Sequence, residues 1–167
     1  MNNNSKYIQL NNLTRLNIYN RNKATEILEY EIKQTKRYNE SFCFIILDID
    51  DFKSLNDRYG HLVGDEMLVL LANSIKERIR ETDIFARWGG EEFVLLLPNT
   101  NLDEAYILAE DLRQGIQSLK HSEVESMTAS FGITMFKNSD DQKRLFKRAD
   151  SALYLAKENG RNTIISN

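Results

Sequence analysis

The chain has 167 residues and a formal net charge of -3. This length predicts one domain with a substantial core, and the slightly acidic charge argues against a protein that binds a nucleic acid polymer, because such proteins usually carry a basic excess. No apolar run is long enough to cross a bilayer, no signal peptide pattern is present, and the single Cys43 provides neither a disulfide nor a zinc cluster. We therefore predict a cytoplasmic protein.

The first half of the chain predicts a tail, a helix and a buried strand. Residues 1–14 are polar and rich in asparagine, which predicts a flexible tail or the remnant of a linker, followed by one folded domain over residues 15–167. Apolar residues at helical spacing predict an amphipathic helix over residues 22–38. The continuously apolar run 42–47 predicts a central strand covered on both faces, and it is followed directly by a cluster of acids.

Two helices are predicted next. Residues 52–59 form a short helical pattern that ends at Gly60, since glycine tolerates the left-handed backbone conformation that ends many helices. A second helix is predicted over residues 65–80, with acids in its first turn and arginines in its last turn, where both complement the helix dipole.

A β-hairpin is predicted around Gly89-Gly90-Glu91-Glu92. Residues 83–88 alternate as a strand does, and residues 93–97 are a short apolar run on the other side of the glycines. The glycines are predicted to supply the positive φ of a tight turn, a purely structural use that is common. Two adjacent glutamates beside that turn concentrate negative charge and predict a cation site.

The rest of the chain completes an α/β pattern. Its predicted elements are a helix capped by Asn101, a strand over 127–136 in which Gly132 permits a bulge or bend, a helix over 141–159 ended by Gly160, and a strand over 163–166. The order of elements predicts an α/β fold with a central, mostly antiparallel sheet of about five strands surrounded by helices.

Three acids are the candidate metal ligands. Asp48 ends a buried strand, where a carboxylate is costly unless it is paired or binds a cation. With Glu91 and Glu92 it would form an all-oxygen cluster suited to Mg²⁺ or Mn²⁺ holding phosphates. The alternative for Asp48 is a helix N-cap, but Asp50 or Asp51 can fill that position, so we expect capping from Asp50 and metal binding from Asp48 and Glu92.

Other polar side chains are candidate nucleotide contacts. Lys53 begins a helix directly after the acids, and Lys157 and Arg161 lie on either side of a helix end, so each can reach a polyphosphate. Helix dipoles and ordinary solvation explain these cations equally well when each is taken alone. Asn56 and Asp65 carry groups that can recognise the edge of a guanine base, which alone is weak evidence.

These residues resemble the GGDEF domains, diguanylate cyclases that condense two GTP molecules into cyclic di-GMP with release of pyrophosphate. The signature is present as residues 89–93, with glutamate in its third position. The resemblance covers almost the whole chain and implies a nucleotidyl cyclase fold, similar to a polymerase palm. It rests on further blocks in the same order at residues 47–57, 59–61, 64–65, 148–154, 156–157 and 160–162.

The resemblance also implies a role for each candidate residue. Two Mg²⁺ or Mn²⁺ ions per GTP site would be bound by Asp48, Glu92 and the backbone carbonyl of Ile49, with Glu91 assisting the second ion or the 3′-hydroxyl that loses its proton. The catalytic residues would be Asp48, Glu91 and Glu92. The substrate contacts would be Asn56 and Asp65 to guanine, Lys53, Lys157 and Arg161 to phosphates, and Phe52, Gly89 and Gly90 beside the nucleotide.

Regulation and assembly follow from the same resemblance. Arg80-Glu81-Thr82-Asp83 has the form and position of the family's inhibitory site for the product, although a helix end explains Arg80 and a turn explains Asp83. Because each domain holds one GTP, catalysis would need a homodimer, and we expect a missing N-terminal sensor domain. The family's N-terminal signature lacks its aspartate at residue 11, which predicts that Arg21 has lost its usual acidic partner.

Two other functions are weighed against this one. The chain could be a catalytically silent module that binds GTP or cyclic di-GMP for regulation, but Asp48, Lys53 and the Glu91-Glu92 pair argue against it. A polymerase-like palm uses the same carboxylate chemistry, but the acidic charge and the lack of a basic groove argue against a nucleic acid substrate.

Overall fold

The structure, a computed structural model, describes residues 14–167. The predicted tail, apart from Thr14, and the altered signature at residues 11–13 lie outside the described residues. The elements in chain order are β1 (Tyr19–Asn20), α1 (Arg21–Tyr38), β2 (Phe42–Ile49), α2 (Phe52–Tyr59), α3 (His61–Lys76), β3 (Ile84–Arg87), β4 (Glu92–Pro98), α4 (Leu102–Gln117), β5 (Ala129–Met135), α5 (Gln142–Glu158) and β6 (Ile164–Ser166).

Strand β2 lies in the middle of the sheet. Within residues 14–167 the sheet has six strands in the order β1-β3-β4-β2-β5-β6. The three central pairings are antiparallel, whereas β1 pairs with β3, and β5 with β6, in parallel. The predicted α/β class is confirmed. The additional strand β1 has two residues, which is too short for an alternating pattern to be recognised in the sequence.

Helices cover both faces of the sheet, as the apolar composition of β2 predicts. Cys43, Ile45 and Leu47 point into a core that includes residues of α3 and α4, and Phe42 and Phe44 point into a second core that includes residues of α1 and α5. A strand buried on both faces has little freedom to shift along its neighbours, because side chains alternate between the two faces. The fold therefore fixes where β2 ends.

The helix after α2 differs from its prediction. Helix α3 begins at His61 and ends at Lys76, instead of spanning residues 65–80. Gly60 has φ 89° and serves as the end of α2 and the start of α3, so no loop separates the two helices. Asp65 therefore lies in the second turn of α3, and the predicted match of charges to the helix dipole is wrong because the first turn holds no acid.

The predicted bulge at Gly132 is also wrong. Register between β2 and β5 is unbroken from the pair Cys43 and Met135 to the pair Ile49 and Ala129. A Cβ atom at Gly132 would lie 2.2 Å from the carbonyl oxygen of Ala149 in α5. The glycine is required because the helix backbone lies directly on the strand.

Two further predictions about helix ends are confirmed. Asn101 caps α4 in a capping box with Glu104, and Gly160, with φ 101°, follows the end of α5. None of the helices in the described part of the chain is long and apolar enough to span a membrane.

Candidate active site

The sheet register brings two of the predicted metal ligands together. Asp48 on β2 is directly opposite Glu92 on β4. Opposite residues of an antiparallel pair place their Cβ atoms roughly 4.5–5.5 Å apart on the same face of the sheet. Glu91 is connected to the same place, since its carbonyl oxygen accepts a hydrogen bond of 3.2 Å from the backbone nitrogen of Ile49. Three acids from two distant parts of the chain therefore converge at one edge of the sheet.

The environment of these acids opposes their ionisation. Burial raises the pKa of Asp48, and the hydrogen bond and positive charge of Lys157 offset this only in part. Burial also raises the pKa of Glu92, and the negative charges of Asp48 and Asp150 add to the effect. For Glu91, burial and the charge of Asp48 raise the pKa as well. Carboxylates that repel one another in a partly buried site are stabilised by a bound cation.

One cation already lies at this cluster. Nζ of Lys157, on the last turn of α5, donates a hydrogen bond of 2.6 Å to Oδ1 of Asp48. The Asp48 side chain is 14% exposed and that of Lys157 is 35% exposed, so the pair lies at the rim of the site. A lysine ammonium group at this position shows that the geometry of the cluster accommodates positive charge.

The donor set suits a hard divalent ion held jointly with phosphates. Among residues 14–167 no group of three or more His, Cys, Asp or Glu side chains is arranged to enclose a metal ion. Mg²⁺ is commonly bound through one or two carboxylates, with water and substrate phosphate as its remaining ligands. Asp48 and Glu92, opposite each other, fit that mode of binding.

The hairpin turn is formed differently from its prediction. Neither Gly89 nor Gly90 has a positive φ. The backbone nitrogens of Trp88 and Gly89 instead donate to the carbonyl oxygen of Glu92, at 2.8 and 3.1 Å. The guanidinium of Arg87 donates to the carbonyl oxygens of both glycines. These bonds close the turn without a left-handed residue, so the role predicted for the glycine φ angles is wrong.

The predicted guanine contacts lie on α2 and α3. Phe52 is buried, Asn56 is half-buried and Asp65 is exposed. A Cβ atom at Gly64 would lie only 1.9 Å from Oδ1 of Asn56 and 3.4 Å from the ring of Phe52. Gly64 therefore provides the space in which the Asn56 amide lies, a function that sequence analysis missed because the predicted helix begins only after Gly64.

The predicted phosphate contacts are distributed around the same edge. Lys53 is exposed in the first turn of α2. Nε of Arg161 lies 3.4 Å from Oδ1 of Asp51, the residue that precedes α2. Of the three predicted cations, Lys157 alone is in hydrogen-bond contact with one of the acids predicted to bind metal, among the contacts between described residues.

Asp50 does not cap a helix, contrary to its prediction. The N-cap position of α2 is taken by Asp51, whose side chain makes no capping hydrogen bond. Asp50 instead accepts hydrogen bonds of 2.7 Å from the hydroxyls of Thr128 and Ser130, and one of 2.9 Å from the backbone nitrogen of Asn162. Its carboxylate therefore connects the end of β2 to β5 and to the turn after α5.

Arg21 packs against an aromatic side chain near the site. Its guanidinium lies 4.7 Å from the ring centroid of Trp88, which also stacks on Phe146. The positive charge of Arg21 lowers the pKa of Glu92, although the burial of Glu92 outweighs this effect. Arg21 is thus electrostatically linked to an acid of the site.

A cavity of about 420 Å³ has a lining that includes none of Asp48, Glu91 and Glu92. Arg80 and Asp83 line it, together with residues of α4 that include Glu104 and Ile107. The Asp83 carboxylate accepts a hydrogen bond of 2.8 Å from the backbone nitrogen of Arg80, so it also stabilises the local turn. Burial raises the pKa of Asp83, against the opposing effects of that bond and of the Arg80 charge.

Comparison with known proteins agrees with the resemblance seen in the sequence. The family model described as the diguanylate cyclase, GGDEF domain, matches residues 10–163. The chain belongs to the GGDEF family. This GGDEF domain is similar to diguanylate cyclase DgcP of Pseudomonas aeruginosa, with 42% identity over 148 residues that cover 87% of this chain and 22% of that protein.

Solved structures of GGDEF domains have the same fold. The coiled coil and GGDEF domain of DgcB from Caulobacter crescentus, solved in complex with c-di-GMP, has a TM-score of 0.93 and 26% identity, covering 98% of this chain and 89% of that one. The active GGEEF domain of a diguanylate cyclase from Vibrio cholerae has a TM-score of 0.84 and 35% identity, covering 88% of this chain and 96% of that one. The chain spans less than half of the length of the curated relatives described as DgcP and DgcM.

Proposed function

We propose that this GGDEF domain is a diguanylate cyclase that condenses two GTP molecules into cyclic di-GMP and releases pyrophosphate. The observation that carries the proposal is the direct opposition of Asp48 and Glu92 on neighbouring strands, beside a turn with the family's signature. Names of the relatives support the same activity, since DgcP is a diguanylate cyclase and the Vibrio cholerae domain is called active.

The acids would hold the metal ions and assist the attacking hydroxyl. Asp48, Glu92 and the carbonyl oxygen of Ile49 would bind Mg²⁺ or Mn²⁺, two ions per GTP, with Glu91 serving the second ion or the 3′-hydroxyl. Such ions neutralise phosphate charge and lower the pKa of a hydroxyl bound to them. The raised pKa values of Glu91 and Glu92 support a role in proton transfer or metal binding, because both processes relieve their mutual repulsion.

The remaining residues would bind and orient the nucleotide. Lys157 would contact phosphates from the last turn of α5, Arg161 from the turn after it, and Lys53 from the start of α2. Asn56 and Asp65 would recognise guanine beside Phe52. The lack of a Cβ atom at Gly89 and Gly90 would leave room for the nucleotide against the hairpin.

The reaction requires two copies of the domain. Each 3′-hydroxyl must attack the α-phosphate of the other GTP, so that two phosphodiester bonds form and two pyrophosphates leave. Because each domain would hold one GTP, a cytoplasmic homodimer with its two sites facing each other is the proposed active form.

Cyclic di-GMP would also bind at the cavity lined by Arg80 and Asp83 and inhibit the enzyme. Arginine guanidinium groups bind phosphate through paired hydrogen bonds, and carboxylates accept hydrogen bonds from guanine. The complex of DgcB with c-di-GMP supports the ability of this fold to bind the product.

One assay tests the activity. The chain is incubated with GTP and Mg²⁺, and cyclic di-GMP and pyrophosphate are quantified by chromatography and a coupled enzyme assay. We expect both products in a 1:2 ratio from the natural chain and none from Glu92→Ala, with Glu29→Ala, an exposed change on α1, as the matched control. Binding of GTP without product from the natural chain would instead favour a silent regulatory module.

A further inference from the structure

The turn that carries Arg161 has an unusual backbone conformation. Three consecutive residues have positive φ angles: Gly160 at 101°, Arg161 at 65° and Asn162 at 44°. Glycine adopts such angles freely and asparagine tolerates them, whereas arginine does so only when its surroundings hold it there. Consecutive residues in this region of conformational space therefore need specific contacts to persist.

One of these contacts comes from the strand side of the turn. The backbone nitrogen of Asn162 donates a hydrogen bond of 2.9 Å to Oδ2 of Asp50. The two oxygens of Asp50 also accept bonds from Thr128 and Ser130, so this carboxylate is held in a fixed position at the end of β2. Asp50 follows the predicted metal ligand Asp48 by two residues.

The second contact comes from helix α4. Nη1 of Arg113 donates a hydrogen bond of 2.8 Å to the side-chain oxygen of Asn162. The same guanidinium is fixed by Glu110, through bonds of 2.8 Å from Nε and 2.7 Å from Nη2. The Arg113 side chain is only 16% exposed, so its fork is oriented before any ligand binds.

We propose that Asn162 is a positioning residue for the phosphate-binding arginine, held from one side by Asp50 and from the other by Arg113. The two contacts fix the left-handed turn and thereby direct Arg161 toward the start of α2, where its Nε lies 3.4 Å from Asp51. The group that Arg161 would then contact is the polyphosphate of the nucleotide. This inference rests on the proposed function, because it takes Arg161 to contact the phosphates of GTP.

The simpler role for the same contacts is to anchor the last strand. Strand β6 begins two residues after Asn162 and pairs with β5, so a loosened turn could reduce the stability of the domain without any specific effect on phosphate. The two roles differ in one respect. A positioning role acts through Arg161, whereas an anchoring role does not.

A double-mutant cycle separates the two roles. The whole chain carries Arg113→Met, Arg161→Met or both, and calorimetry with Mg²⁺ measures the affinity for 3′-deoxy-GTP, which lacks the attacking hydroxyl, and for GMP. Methionine keeps the apolar stem of Arg113 and removes its hydrogen-bonding fork. Arg144→Met is the matched control, since it removes an exposed arginine in the first turn of α5 that pairs with the N-cap residue Asp141.

We expect Arg113→Met to weaken 3′-deoxy-GTP binding about fivefold, the value of one hydrogen bond, while changing the affinity for GMP less than twofold. In the presence of Arg161→Met, the further loss caused by Arg113→Met is expected to vanish. Asn162→Gly removes the same bond from its other end while keeping the backbone donor, so it should reproduce the effect even if Arg113→Met lowers the melting temperature.

Two results would overturn the inference. Additive losses in the cycle, or equal losses for 3′-deoxy-GTP and GMP, would mean that Arg113 and Asn162 only anchor the fold, while the proposed cyclase activity would stand. If the natural chain and Arg144→Met both fail to bind 3′-deoxy-GTP, the proposed function fails, and the inference fails with it.

Discussion

Lys157 donates a hydrogen bond of 2.6 Å to Asp48, so the carboxylate that is predicted to bind metal is already paired with the ammonium group of a lysine. We predict that Lys157→Met increases the affinity of the nucleotide-free chain for Mn²⁺ about tenfold, because the ion no longer competes with a charged hydrogen bond. The same change should weaken GTP binding, since it removes a phosphate contact. Titration followed by Mn²⁺ electron paramagnetic resonance measures the first effect, and unchanged or weaker Mn²⁺ binding would contradict it.

Glu92→Gln should abolish turnover and stabilise the metal-free domain at neutral pH. Loss of a metal ligand is expected to lower kcat by at least about 10³-fold, since bound metal contributes several kcal/mol to such reactions. Burial and the charges of Asp48 and Asp150 raise the pKa of Glu92 in the folded state above 4.5. Between the unfolded and the folded pKa of Glu92, the folded state therefore binds more protons than the unfolded state. The stability that Glu92 contributes is fully present below pH 4.5 and is lost as pH rises through its folded pKa.

Glutamine has no charge to bury, so its advantage over Glu92 should appear only as pH rises. Thermal unfolding with EDTA at a series of pH values tests this, and a stabilisation that is largest at low pH would contradict the assigned direction of the pKa shift.

Gly90→Ala should weaken GTP binding without reducing stability. Gly90 does not use a positive φ, and a Cβ atom at this position would contact nothing within 4 Å, so the domain itself does not require glycine there. The remaining reason for a glycine is space for the nucleotide. We expect an unchanged melting temperature and a loss of about tenfold or more in affinity for GTP, measured by calorimetry.

Gly132→Ala serves as the comparison for Gly90→Ala, because Gly132 is a glycine that the fold requires. Its Cβ atom would lie 2.2 Å from a backbone oxygen of α5, so this variant should lose about 1–3 kcal/mol of stability or more. If Gly90→Ala destabilises the chain as Gly132→Ala does, the glycines of the signature serve the fold and not the ligand.

Gly64→Ala should reduce discrimination between guanine and other bases. An alanine Cβ at this position would overlap the amide of Asn56, which must then move. Because Gly→Ala within a helix usually gains about 0.5–1 kcal/mol, a loss of specificity without a matching loss of stability would point to Asn56. The ratio of the affinities for GTP and ATP is the measurement, with Gly115→Ala in α4 as the control. An unchanged ratio would exclude this role for Gly64.

Arg80→Ala should weaken the saturable binding of cyclic di-GMP at least tenfold while leaving the initial rate of turnover unchanged. Arg80 and Asp83 line a cavity of about 420 Å³ to which neither Asp48 nor Glu92 contributes. A phosphate contact through arginine contributes about 1.5–3 kcal/mol, which corresponds to a loss of at least tenfold in affinity. Equilibrium dialysis with labelled product tests the loss, and retention of full affinity would place product binding elsewhere.

Much of this fold follows from patterns that are local in the sequence. The apolar run of β2 predicts a buried central strand, and the helices α1, α4 and α5 follow from apolar spacing and capping residues such as Asn101. The boundary of α3 did not follow, because Gly60 joins two helices where a loop is the usual expectation.

In the candidate site, too, some features can be predicted from the sequence and others cannot. Individual motif residues such as Asp48 and Glu92 are recognisable in the sequence, because their chemical type and order are distinctive. The partners of Asp50 are not, since they depend on the β2–β5 register and on a turn more than 100 residues away. Gly64 leaves space for the Asn56 amide, and Arg87 donates hydrogen bonds to the backbone of the hairpin turn. Both contacts depend on three-dimensional positions that cannot be predicted from composition or periodicity.

The opposition of Asp48 and Glu92 has a consequence for how the site forms. Their neighbours Leu47 and Phe93 are paired with each other and completely buried, so the strand alignment that fills the core is the alignment that pairs the acids. A shift of β2 by one residue would turn Asp48 to the opposite face from Glu92 and, at the same time, move each apolar side chain of β2 into the other core, which is packed around different residues. Core formation and assembly of the acids are therefore a single cooperative event, and a folded population without the paired acids is not a stable alternative.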